Sequence, residues 1–142
     1  MKTSKEVLTS ILKTTQMGQT GIRSVLDRAM GSDMRQALNS QLREYDSIES
    51  EARTMAVQRG WDLEDLDPAL RFMSDMTARM RLNGRNTDSK IAGMMIQGNT
   101  QGMIKGLKTI HQFSSEDEPI KTLSQKLLDC ENANIRQMQR FL

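Results

Sequence analysis

Apolar residues recur every three or four positions through most of the chain, the spacing of one face of an α-helix. In the first long segment Val7, Leu8, Ile11, Ile22, Val25 and Ala29 share a stripe with Thr15 and Gly18. In the second, Met34, Leu38, Ile48, Ala52 and Met55 share one with Gln41 and Tyr45. The third stripe holds Ala92, Met95, Met103, Ile110 and Phe113 together with Asn99, Gly102 and Gly106. The fourth holds Ile120, Leu123, Leu127, Ile135, Met138 and Leu142 with Glu131 and Asn134. Most lysines and arginines fall on the opposite faces.

Turn and capping residues set the boundaries. The pattern predicts helices over about 4–30, 34–59, 88–113 and 116–142, with a crossover helix over about 68–82. Thr3 with Glu6, Asp33 with Gln36, and Ser115 with Glu118 stand at capping spacing. Gly31, Gly60 and the run Asn83-Gly84-Arg85-Asn86 end helices, and Pro68 suits a first helical position. The four long helices are each roughly 40 Å long at the α-helical rise, so they can cover one another end to end. Short first and last connections make two antiparallel hairpins, while the long middle connection can travel back along the molecule. The expected fold is all-α, an up-down four-helix bundle of ferritin-like topology with a short extra helix in the crossover. A single rod joining the crossover helix to the third long helix is the alternative, since an interior glycine costs only about 1 kcal/mol.

The polar residues on the core faces coincide in level. Thr15, Gln41, Tyr45, Asn99, Glu131 and Asn134 each lie near the middle of a helix, so equal antiparallel helices bring them into one cross-section. Glu131 needs partners there, because a buried carboxylate costs several kcal/mol unless paired or protonated. Tyr45, Asn99 and Asn134 are the candidates. The layer reads either as a hydrogen-bonded device fixing helix register or as a small-molecule or ion site.

Composition narrows the classes. Among 142 residues, twenty basic against eighteen acidic side chains are too balanced for a phosphate-backbone partner, so no nucleic acid is expected. No apolar run is long enough for a membrane span, and the amino terminus turns polar where a signal peptide needs its apolar core. The lone Cys130 points to a reducing, cytoplasmic setting. Twelve methionines and a 4% aromatic content predict an aliphatic, thioether-filled core.

The segments Ile91-Ala-Gly-Met-Met-Ile-Gln-Gly-Asn-Thr-Gln-Gly102 and Glu131-Asn-Ala-Asn-Ile-Arg-Gln-Met-Gln-Arg-Phe-Leu142 give the chain a recognisable look. Over its whole length it resembles the ferritin-like superfamily, and more closely a group of uncharacterised bacterial four-helix proteins of that shape. The superfamily's di-iron members carry a Glu on each of two helices and Glu-x-x-His on the other two. Here the fourth helix offers Glu131-x-x-Asn134. The second places Tyr45 and Ile48 at the matching positions, with Glu44 at the stripe's edge. The first has no carboxylate between Glu6 and Asp27, and the third has no acid from Ser89 to Phe113. One inward carboxylate cannot hold two irons, so no metal, cofactor or catalytic residue is implied.

The remaining features are weaker. Gly98, Gly102 and Gly106 recur at four-residue spacing, and Gly18 and Gly21 lie mid-helix; they read as close helix approach, room for the Tyr45 ring, or a ligand cavity. His111 reads as a solvated residue and Cys130 as a small apolar filler. Trp61 and Leu63 could cover one end of the bundle. Met73, Met76 and Met80 form one face of the crossover helix, either packed on the bundle or docking a second copy or another protein. Two functions stay open: a non-catalytic interaction or structural module, and a small-molecule or ion binding or sensing protein using the polar layer. An oxidoreductase would need its missing ligands from a partner chain or a modification.

Overall fold

The computed structural model describes residues 1–142, the side chain of Phe72 excepted. Among the described residues the secondary structure is all α: α1 (Ser4–Leu26), α2 (Ser32–Gln58), α3 (Pro68–Arg81), α4 (Thr87–His111) and α5 (Glu118–Gln139). No helix is long and apolar enough to cross a membrane.

Caps and turns explain where the helices start and stop. Thr3 and Glu6 form the expected capping box on α1. That helix ends at Leu26 rather than Met30, because the amides of Arg28 and Ala29 bond three residues back and tighten the turn. Two expected caps are not formed. Gly31, not Asp33, precedes α2, and Asp88 from α4 accepts the amides of Met30 and Gly31 at 2.8 Å each. Asp117, not Ser115, precedes α5. Gly60 ends α2 at φ 69°, a left-handed conformation that glycine adopts without strain. Between α3 and α4, Gly84 at φ 98° and Asn86 at φ 59° break the chain, so these are two helices and not one rod.

Helix α1 packs against α2 and α4, and α5 closes the ring by packing against both of those; α3 lies along α1. The meeting ends give the directions. The Lys2 amide bonds to the Gln112 carbonyl, so α1 begins where α4 ends. Asp88 bonds at the other end, where α1 stops. Ser4, Arg59 and Asp117 gather the start of α1, the end of α2 and the start of α5. Thus α1 and α5 run one way, α2 and α4 the other, and the crossover carries the chain the full length of the molecule. Leu8, Leu12, Ile22, Leu38, Ile48 and Ile91 are among the fully buried side chains of the shared core.

The face of α3 turned inward carries Ala78, with Leu82 just beyond it, both buried. Met73, Met76 and Met80 stand 61%, 47% and 75% exposed, so much of this methionine stripe is left open to solvent. Trp61 and Leu63 are half-buried against the core, with the Arg59 guanidinium over the indole. Leu142, expected in the core stripe, is exposed.

The Arg59–Asp117 pair is bidentate and mostly covered. Hydrogen bonds from Arg59, and a further one from Ser4, hold the Asp117 carboxyl down at about 2. The stability it supplies is therefore fully present above the unfolded value of 3.8 and is lost as pH falls through about 2. Asp117→Asn should cost about 1–2 kcal/mol near neutrality, allowing for solvent at Arg59. In urea titrations that deficit should shrink towards zero in strong acid.

Candidate functional site

The predicted polar residues divide into a bonded cluster and a cavity wall. The Tyr45 hydroxyl from α2 donates to Asn99 Oδ1 on α4 at 2.8 Å. Asn134 Nδ2 from α5 donates to the Tyr45 oxygen at 3.3 Å and to Asn99 Oδ1 at 3.2 Å. Asn99 Nδ2 donates to its own helix at the Met95 carbonyl, 2.7 Å away. Three helices are stitched together by these groups. Burial, and then the neighbouring Glu131 charge, push the Tyr45 hydroxyl far above its usual value, so it stays protonated.

Glu131 is not part of that cluster. The sequence suggested Tyr45, Asn99 and Asn134 as its partners, but those three bond to one another. Its side chain is 1% exposed, and neither carboxylate oxygen has a hydrogen-bond partner. Burial pushes its carboxyl from 4.5 up to about 8. Thr15 is also apart: its hydroxyl bonds back to the Ile11 carbonyl. Gln41 donates through Nε2 to Gln137 Oε1 at 2.8 Å, leaving its own Oε1 buried without a partner.

Glu131 and Gln41 open onto a cavity of about 270 Å³ between α1 and α4, with Tyr45 and Asn99 also in its wall. Met17, Ile22, Leu66, Leu70 and Met95 make the rest of the lining mainly apolar, while Lys13 and Lys105 are its two basic residues. Lys13 is paired with Glu64 at 3.0 Å, and Lys105 is exposed.

The glycines explain why there is room. A Cβ on Gly18 would stand 2.5–2.9 Å from three atoms of the Tyr45 ring, so this glycine on α1 seats the ring. A Cβ on Gly102 would run into the Glu131 carboxylate. At Gly98 it would meet nothing within 4 Å, and at Gly21 only the tip of Met95 at 3.8 Å. Close helix approach does not account for those two. Each forgoes about 1 kcal/mol of helix propensity, and both line the cavity.

Sequence reasoning missed a second polar group. Gln16 and Gln19 on α1 are buried; Gln16 Nε2 donates to Asp65 at 2.7 Å, and its Oε1 accepts the Leu66 amide at 2.7 Å. Gln19 donates to Asp46 and Glu49. These bonds fix the crossover to α1 and take up Glu49, so that it does not join Glu131. Their spacing of three residues beside the apolar stripe was the available signal. Glu44 and His111 are exposed, and among the described residues no three of His, Cys, Asp and Glu are placed to hold a metal ion. Cys130 is half-buried, and burial, with Glu44 and Glu131 nearby, raises its thiol to about 11. Compared with protein-family models, curated proteins and solved structures, the chain matches none.

Proposed function

We propose that this chain is a binding protein for a small molecule, on a four-helix bundle of ferritin-like topology whose sequence lacks the di-iron ligand set. The topology is supported by α2 and α4 running parallel, joined by a crossover the length of the molecule. Binding rests on one observation above all: Glu131 sits buried in the wall of a cavity with both oxygens unpartnered. Protein interiors leave few polar groups without a partner, and an acid so placed costs stability that a register device would not need. An apolar cavity of roughly 150 Å³ already admits benzene, so this one has space for a benzyl-sized guest.

Gly21→Leu tests the reading, because its Cβ fits and the rest of the side chain enters the cavity. Saturation-transfer NMR with benzyl alcohol should show binding to the parent and none to the variant, whose melting temperature should not fall. Equal transfer from both proteins would refute it. A second reading, an interaction module docking through Met73, Met76 and Met80, is favoured by their exposure.

A further inference from the structure

From the unmatched groups in the cavity wall we infer that the ligand is an organic cation, a primary amine or amidine on an apolar body, bound head-first against Glu131. The inference rests on the binding reading above and adds the chemical class. Among the described residues, the buried side-chain polar atoms left without partners are Glu131 Oε1, Glu131 Oε2 and Gln41 Oε1. All three are acceptors, and no buried side-chain donor is left over among the described residues. The hydrogens of Tyr45 and Asn134 are directed at Asn99 and Tyr45 within the cluster. A guest with several N–H donors matches these three acceptors, whereas a carboxylate or phosphate could pair only with the ammonium groups of Lys13 and Lys105 in the lining and would leave all three unmatched. The apolar remainder of the lining suits a hydrocarbon body, since Met17, Ile22, Leu66 and Met95 offer no charge. A bare metal ion fits poorly, because one carboxylate and one amide oxygen supply too few ligands.

Uptake of such a cation carries a proton with it. Glu131 holds its proton in the free protein up to about pH 8. An ammonium group arriving at the carboxyl forms a carboxylate–ammonium pair, and the displaced proton leaves for solvent. The other titratable groups lining the cavity are Lys13 from α1, Tyr45 from α2 and Lys105 from α4, with Leu66 and Leu70 facing it from the crossover and α3; Cys130 on α5 lies near Glu131 outside the lining. Tyr45 and Cys130 are both raised away from neutrality, and Lys13 is engaged by Glu64. Glu131 is thus the group that trades its proton for the guest.

Benzylamine, benzyl alcohol and benzoate share one ring and differ in head group, so calorimetry on the full chain separates the cases. Near pH 8 benzylamine should bind at least about tenfold tighter than benzyl alcohol. Glu131→Gln should erase that preference, so that benzylamine and benzyl alcohol bind the variant about equally. On the parent protein, benzylamine affinity should fall by up to about tenfold per pH unit below 8, while benzyl alcohol stays flat. If benzyl alcohol binds and benzylamine does no better, or benzoate binds best, the cation assignment is wrong and the binding reading stands. If none of the three binds, both fall together.

Discussion

Glu131→Gln should make the protein more stable by roughly 4 kcal/mol near pH 8 and leave its stability near pH 4 unchanged. Burial raises the folded-state carboxyl from 4.5 to about 8. Below 4.5 both folded and unfolded chains hold the proton, and an uncharged acid is nearly isosteric with the amide. Between 4.5 and 8 the unfolded chain has released the proton and the folded chain has not. Stability therefore declines as pH rises, by about 1.4 kcal/mol per unit. Above 8 both are ionised and the penalty stays constant. Glutamine removes the whole slope, and other titrating groups cancel between the two proteins. Denaturant titrations at several pH values measure it. Parallel curves for parent and variant would mean that Glu131 ionises in the folded protein as freely as in water.

Gly18→Ala should destabilise the protein by about 2–3 kcal/mol, although alanine is the better helix former. The added methyl would stand 2.5–2.9 Å from the Tyr45 ring, closer than side-chain carbons approach anything. The ring is stiff, 3% exposed, and fixed at its far end by Asn99 and Asn134. Moving it breaks a buried hydrogen bond worth about 1 kcal/mol and strains the packing by up to about 3 kcal/mol. The helix propensity of alanine returns only about 1 kcal/mol. Adding Tyr45→Leu, which removes the ring, should recover much of the loss. A double-mutant cycle by thermal or urea unfolding reads the coupling. Gly98→Ala is the contrast: its Cβ meets nothing within 4 Å, so stability should hold or rise.

Several features were legible along the chain because their causes are local. The apolar stripes, the Thr3–Glu6 box, the stop at Gly60 and Pro68 opening α3 each depend on residues within a turn or two of one another. The mid-helix position of Tyr45, Asn99 and Asn134 was legible too, as equal helix lengths bring them level. Two caps were not legible: Gly31 precedes α2, where the Asp88 carboxylate from α4 accepts the neighbouring amides, and Asp117 precedes α5 with its carboxylate on Arg59.

The sequence by itself determined that four long amphipathic helices form, which faces they bury and which polar residues lie at mid-height, because helical period and capping are short-range. Only the tertiary structure decided that Tyr45, Asn99 and Asn134 satisfy one another while Glu131 is left facing a cavity. Only there, too, do Gly18 and Gly102 make room for neighbouring side chains while Gly21 and Gly98 leave space unfilled. Those outcomes turn on the rotation and register of helices that meet across the core. A shift of one residue in either rotates every side chain by about 100°, and no local pattern encodes that choice.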